Sequence, residues 1–560
     1  MGLGRGVRVA LSAGVAVVLG GCAGSLARFT RADVMWEDDD RRPFRPMPDE
    51  RFAPESWDAL DQMLLRPLAR GLAFETRGES IDVNAYDEVP DSSWFTNRIG
   101  QYTLSPRRVA RGPCPADEAP DEAIAWPLRV TSSKDQGATA GAVVEDARGR
   151  GYVVKADREG QPELATAADA VGARIYWAAG YYTPCNRVVT LARADLELGD
   201  GARVEEGIHH RPMTTADLDD LWSRFTDAGE GRRRALVSRF VEGTPRGPWD
   251  YRGIFEPDLN DAVSHEDRRE LRGMFLLNAW VNHWDARQHN TLMSWIEGPI
   301  EGSGHIRHYL IDFGDCFGFV SGLHRQDIRY GRSGWLDPDH ILADTLTFGL
   351  LTRPWHDLPR SDAWPMFGYY DVDSFEPEAW RPNYENGAFR WRTANDLAWM
   401  ARIVAAFRAE HVGAIVEQAR FTDAHDARRL TAILLGRRRR ILERFLTELS
   451  PLAHPRIERG RVCLTDLAVS SGLRRGARRA YAAWRLEDGR TEELRVEVDP
   501  QRAEVCFAPP PPRGAYAVVR IASQTAGRAP THPLDVHLAE VEGRLRVVGL
   551  VRRHDGRTAP

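Results

Sequence analysis

The chain has 560 residues, 42% hydrophobic and 28% charged, with a formal net charge of -6. That length exceeds one ordinary core and divides into about two to four domains. The composition excludes a disordered chain, and the charge gives no electrostatic footing to a nucleic-acid partner.

Arg5 and Arg8 precede the apolar stretch Val9 to Leu19, which meets Gly20, Gly21 and Cys22. A basic start, a short apolar run and small residues before a cut make a secretory signal. The run falls short of the roughly 20 residues that span a bilayer. Leu19-Gly20-Gly21-Cys22 resembles the bacterial lipobox, which implies loss of residues 1–21 and lipid on Cys22. The expected address is the cell envelope, and Ala23 after the cysteine favours the outer membrane. Five cysteines remain, Cys114, Cys185, Cys316, Cys463 and Cys506. Cys463 and Cys506 lie in strand-like segments and are the expected disulfide of an oxidising compartment, with two buried thiols as the alternative.

Residues 22–105 combine an acidic, Pro-containing stretch, an amphipathic helix around Trp57 to Phe74 and a loop from Asp87 to Trp94, a tether with a packing extension. From 106 to 245, strand-like and helical patterns alternate. Of 75 Lys plus Arg residues, only Lys134 and Lys155 are lysine. Arginine serves wherever charge alone is needed, so the two lysines mark positions suited to a compact ammonium. Lys134 opens a small-residue turn through Gly137 to Gly141, where backbone amides can approach an anion and where an ordinary hairpin fits as well. Lys155 sits near the end of the strand Gly151 to Ala156. Pro162 to Gly180 carries helix start and stop signals, and Arg234 to Phe240 is an apolar strand running into Val241-Glu242-Gly243-Thr244-Pro245.

Residues 246–450 are mainly helical. Glu266 to Asn282 reads as one helix, and two β-rich segments follow around 291 to 312. The basic run Arg437 to Arg440 falls in a helical pattern ending at Phe445 and reads as a solvated face. Over 451–560, runs such as Leu494 to Val498, Ala515 to Ile521 and Leu545 to Val551 are separated by Pro and Gly clusters and predict a small β-sandwich.

The chemistry concentrates between Val281 and Gly318. His283-Trp284-Asp285 is followed by His289-Asn290, then by Asp312-Phe313-Gly314, with two strands and a turn between them. A hairpin there brings Asn290 and Asp312 together. Asp312 offers a hard anionic oxygen for a divalent ion and Asn290 a neutral one. Asp285, on the same loop as Asn290, can accept the proton of an incoming hydroxyl. The first cluster has the spacing H-x-D-x-x-x-x-N and the second is D-F-G. With Lys155 in Gly151-Tyr152-Val153-Val154-Lys155-Ala156, residues of about 130 to 320 resemble the protein-kinase-like superfamily. Trp284-Asp285 and His289-Asn290 look closer to secreted spore-coat kinases of the CotH type and to HipA-type kinases.

The resemblance implies an α+β, two-lobed fold, ATP with Mg2+ or Mn2+, and transfer to a protein hydroxyl. It gives catalytic roles to Asp285 and His283, metal ligation to Asn290 and Asp312, and nucleotide contacts to Lys155, the Lys134–Gly141 turn and the backbone around Glu242. An acid should fix Lys155, with Glu163 the first candidate and Asp169 the second, although Glu163 equally suits compensation of a helix dipole. No G-x-G-x-x-G and no A-P-E are present, so the acceptor stays open among protein, lipid, sugar and small molecule. There is no H-E-x-x-H, Cys-x-x-Cys or G-x-S-x-G, and His209-His210 reads as a surface pair. An inactive binding module and an adenylyl or glutamyl transferase are the alternatives on the same site.

Overall fold

Apolar residues spaced for strands between 128 and 239 build an eight-stranded mixed sheet: β1 (Leu128–Ser133), β2 (Gly141–Glu145), β3 (Gly151–Lys155), β4 (Asn186–Ala192), β5 (Leu196–Glu206), β6 (His209–Pro212), β7 (Thr226–Gly229) and β8 (Arg232–Arg239). The order is β4-β8-β3-β2-β1-β5-β6, with β7 against β8. The computed structural model describes residues 28–70, 78–116, 123–133, 139–206, 209–360, 364–487, 490–509 and 516–552. The signal segment with Cys22, and Lys134 and Gly137 of the small-residue turn, lie outside these. One face of the sheet buries Leu128, Val130, Val144, Tyr152 and Val154 with Leu218, Leu221 and Phe225 from the helix Thr215–Ser223 and its end. The helix Leu164–Ala179 begins after Glu163 and stops at Gly180, as the Pro162 to Gly180 pattern predicts. All sixteen of its residues are buried.

After β8 the chain passes to a three-stranded sheet ordered β11-β10-β9, formed by β9 (Thr244–Gly247), β10 (Thr291–Glu297) and β11 (Gly304–Leu310). β10 and β11 pair in register from Thr291↔Leu310 to Glu297↔Gly304, the expected hairpin. The helices Arg269–Val281, Ala394–Ala406 and Ala424–Ile441 share one core with the Leu164–Ala179 helix. Val89, Trp94 and Phe95 belong to that core, so the N-terminal extension is built into it. The expected helix from Trp57 runs as Glu55–Leu60, a wide π-type turn Asp61–Leu65 and Arg66–Arg70.

The reading of Arg437 to Arg440 as a solvated face is corrected for half of the run. Arg437 and Arg438 are buried. Arg437 donates to the carbonyls of Ala279 and Trp280, and Arg438 to those of Val404 and Ala405. Both pairs of carbonyls sit in the last turns of helices, where acceptors lack intrahelical partners and the dipole favours a cation. Guanidinium forks therefore replace the missing hydrogen bonds inside the core.

At the C-terminal end, a four-stranded and a five-stranded antiparallel sheet bury their apolar faces together, with Val462, Leu464, Val505 and Phe507 against Val519, Ile521, Val536 and Leu538. Cys463 and Cys506 are register partners and are disulfide-bonded, and Cys114 pairs with Cys185. The fold is mixed α+β with several sheets. Among the described residues no helix is long and apolar enough to cross a membrane.

Candidate active site

Lys155 ends β3 with its ammonium in a cavity of about 340 Å3 between the large sheet and the 282–319 segment. Its Nζ lies 3.1 Å from Asp169 Oδ2 and 3.0 Å from Asp312 Oδ1. Burial alone would lower the lysine pKa, but the two carboxylates raise it above the usual range. The acid that fixes Lys155 is thus Asp169, and the preference for Glu163 is corrected. Glu163 has φ +67 ahead of the helix, and its carboxylate accepts from the Thr422 backbone N–H and hydroxyl. One turn and a half into the helix, Asp169 points to the sheet, whereas the N-terminal position turns away from it.

Asp169 does a second task. Its Oδ1 accepts the Phe313 N–H at 2.7 Å, so one buried carboxylate ties Lys155 to the Asp312-Phe313-Gly314 turn. The Phe313 ring packs against Tyr176, with centroids 4.9 Å apart, and lies over Gly172. Asp169, Gly172 and Tyr176 are spaced i, i+3, i+7 and share one helix face. Asp312 itself has φ +58, a left-handed conformation that few non-glycine residues adopt. Its side chain is 40% accessible, against 3% for Asp169, and it lines the cavity.

The loop after the Arg269–Val281 helix supplies the opposite wall. Asn282 ends that helix in the left-handed region, φ +58, and turns the chain into Asp285. Asp285 and Asn290 both line the cavity. The Asn290 amide donates to the Asp285 carbonyl at 2.6 Å. Arg287 Nε stands 3.0 Å from Asp285 Oδ1. Burial pushes the Asp285 pKa up to about 6, with Arg287 opposing and Asp315 reinforcing the shift.

Sequence reasoning missed what holds this loop. Asp315 accepts from His283 Nδ1 at 2.5 Å and from the Asp285 N–H at 2.9 Å. Asp58, from the N-terminal extension, accepts from His289 Nδ1 at 2.8 Å and from the Gln288 side chain. Asp315 follows the D-F-G motif by one residue and was within reach of motif inspection. Asp58 lies more than two hundred residues upstream and carries no local signal. Arg158 and Arg287 also line the cavity, as do Trp284, Phe319 and Tyr384.

His283 is corrected from a reacting group to a supporting one: it is buried beneath the loop, against Phe313 and Tyr176, and does not line the cavity. Its pKa is raised because Asp315 outweighs burial. Gly141 stands opposite Lys155 in the β2–β3 register, one strand away from the ammonium. Glu242 also falls outside the cavity lining. Its carboxylate pairs with Arg307 at 2.7 Å and its carbonyl accepts from the Ser294 hydroxyl. The expected backbone contact at that residue therefore meets an acceptor already engaged. His209 and His210 are exposed on β6.

No family model matches the chain, and no curated protein matches it. Solved structures similar to the chain include a crystal structure of the Golgi casein kinase at 9% identity and TM-score 0.27, and the Golgi casein kinase with Mn/ADP bound at 11% identity and TM-score 0.25. Each alignment covers 58% of this chain and 76% of the other.

Proposed function

We propose that this chain is a metal-dependent phosphotransferase of the protein-kinase-like type, moving the terminal phosphoryl group of ATP to a hydroxyl acceptor. The observation that carries the reading is the convergence on one cavity of Lys155, Asp169 and Asp312 from one side with Asp285 and Asn290 from the other. A simple structural ion pair needs only two of these five. In this reading residues 106–245 and 246–450 are the two lobes, 22–105 an extension bracing them, and 451–560 an appended β-sandwich. The acceptor is a protein hydroxyl in the first instance.

The donor set suits a hard divalent cation: an accessible carboxylate on Asp312 and the side-chain amide of Asn290, which can offer a neutral oxygen, both residues lining one cavity. Mg2+ or Mn2+ would be held there with the nucleotide phosphates and would neutralise their charge. Lys155, fixed by Asp169, adds a positive charge that stays put. The Asp285 carboxylate takes the proton as the acceptor oxygen bonds to phosphorus, while the bond to the bridging oxygen breaks and ADP leaves. Two arginines, Arg158 and Arg287, line the same cavity and add positive charge to it, Arg287 while paired with Asp285.

Removal of the signal segment and a lipid on Cys22 complete the proposal and place the domain in the cell envelope. The two disulfides support an oxidising compartment.

The test compares wild type, Asp312→Ala and Asp285→Ala for ATP binding by calorimetry with and without Mg2+ or Mn2+, and for label transfer to an envelope extract from γ- and α-labelled ATP. Asp312→Ala should lose metal-dependent binding. Asp285→Ala should retain binding and lose transfer by about 100-fold to 10,000-fold. Label arriving from the α-phosphate would replace phosphoryl by adenylyl transfer, and no binding by folded wild type with either metal would leave a binding module.

A further inference from the structure

Among the described residues that line the Lys155 cavity there are three cations, Lys155, Arg158 and Arg287. Two of them are engaged by carboxylates, Lys155 by Asp169 and Asp312 and Arg287 by Asp285. Arg158 is held in another way. Its Nε is buried without an acceptor, and its guanidinium lies over the ring of Phe319, with Cζ 4.1 Å from the centroid. An aromatic face holds a cation without using its N–H donors, so the stack fixes the group and leaves the donors for another partner.

The backbone on both sides of Arg158 is pinned. Asp157 accepts from the Thr166 N–H at 2.8 Å and from the Thr226 hydroxyl at 3.0 Å. Gln161 is buried, donates to the Gly318 carbonyl at 2.7 Å and accepts from the Val320 N–H at 3.1 Å, which ties the loop after β3 to the segment that carries Phe319. Much of the ordering that a ligand would otherwise impose is therefore in place beforehand. Phe319 packs edge-on against Trp284, the residue before Asp285, with centroids 5.5 Å apart. Arg158 thus reaches from the Lys155 strand to the loop of the proposed base. Burial lowers its pKa, and the carboxylates of Asp315, Asp312, Asp285 and Asp169 oppose that shift, so the proposed metal ligand and the proposed base both act on it.

In the transfer described above, the terminal phosphoryl group passes between a cation on Asp312 and a hydroxyl on Asp285. We infer that Arg158 binds the non-bridging oxygens of that terminal phosphoryl group, with Phe319 as its positioning residue, an inference that rests on the phosphotransferase reading. A guanidinium fork meets two phosphate oxygens at once, and no bond to Arg158 forms or breaks. An arginine that only balanced the four carboxylates would not distinguish ATP from ADP. One that grips the terminal group must.

Calorimetry of the purified full chain with Mg2+ tests this by comparing ADP with a non-hydrolysable ATP analogue that carries an imido bridge between its β- and γ-phosphates. Arg158→Gln should weaken the analogue about 10-fold to 100-fold and ADP less than about 2-fold. Arg158→Lys keeps the charge without the fork and should recover part of that loss. Phe319→Leu should lose the same preference for the analogue over ADP, and Phe319→Tyr, which keeps the aromatic face, should retain it. Equal weakening of both nucleotides by Arg158→Gln, or an unchanged affinity for the analogue, overturns the assignment. If Arg158→Gln does not fold, Arg158→Lys and the two Phe319 variants put the same question, and an unaltered preference in all three overturns it as well. Wild type that binds neither nucleotide refutes the phosphotransferase reading and this inference together, whereas wild type that binds both, with Arg158→Gln no different, refutes this inference alone.

Discussion

Gly172 couples the helix that carries Asp169 to the turn that carries Asp312, and Gly172→Ala tests that coupling with a single methyl group. A Cβ at this position would stand 2.7 Å from Phe313 Cβ and 3.1 Å from its Cγ. Ordinary contact begins at 3.4 Å, so Phe313 or the helix must yield by about 0.7 Å (3.4 minus 2.7). Phe313 is fully buried against Tyr176 and His283, so the adjustment passes along the backbone to Asp312. Overpacking of this kind costs about 1–3 kcal/mol, and replacing a helical glycine by alanine returns up to about 1 kcal/mol. The net loss is about 0–3 kcal/mol, enough to move the melting temperature by several degrees at most. Function should suffer more: a misplacement approaching 1 Å costs roughly 100-fold in rate. Thermal melts with calorimetry of metal-dependent nucleotide binding and a transfer assay should show a nearly native melt, weakened binding and a large drop in transfer. Native affinity and turnover in a folded Gly172→Ala protein would refute the reasoning that Phe313 positions Asp312.

Asp169→Asn should abolish metal-dependent ATP binding, because Lys155 loses a partner and the Phe313 N–H loses a charged acceptor, whereas Glu163→Gln should bind ATP as wild type does; calorimetry giving the reverse would restore Glu163 as the lysine's partner. Asp87 meets Arg269, Arg402 and Arg552, which together outweigh burial and hold its pKa down to about 2. A folded pKa below the unfolded value of 3.8 means this stabilisation is complete above about pH 5 and is lost as pH falls through about 4 to 2. Asp87→Asn should therefore cost about 2 kcal/mol at pH 7 and flatten the acid limb of the denaturation midpoint against pH, and an unchanged acid limb would remove Asp87 from that role. Cys22→Ser should release the protein from the membrane fraction, since one lipid-bearing residue is the anchor proposed; retention after a carbonate wash would rule the lipobox out.

Local pattern determined a good deal of this protein. Period-two alternation and turn residues placed β3, β8, β10 and β11, helix start and stop signals placed Leu164–Ala179, and the near absence of lysine singled out Lys155. Those features depend on residues a few positions apart, where backbone geometry sets which side chains share a face. The pairing of Lys155 was different. Glu163 precedes the helix that holds Asp169, and only the packing of that helix against β4 and β8 turned Asp169 toward the ammonium and Glu163 toward Thr422. Arg437 and Arg438 looked like a solvated run because charge alone suggests water, yet the ends of two other helices brought carbonyls to them. Asp58 and His289 come together across a long stretch of chain. Their positions follow from the shape of the buried core, which reduces exposed apolar area over the whole molecule and carries polar side chains to wherever that packing puts them.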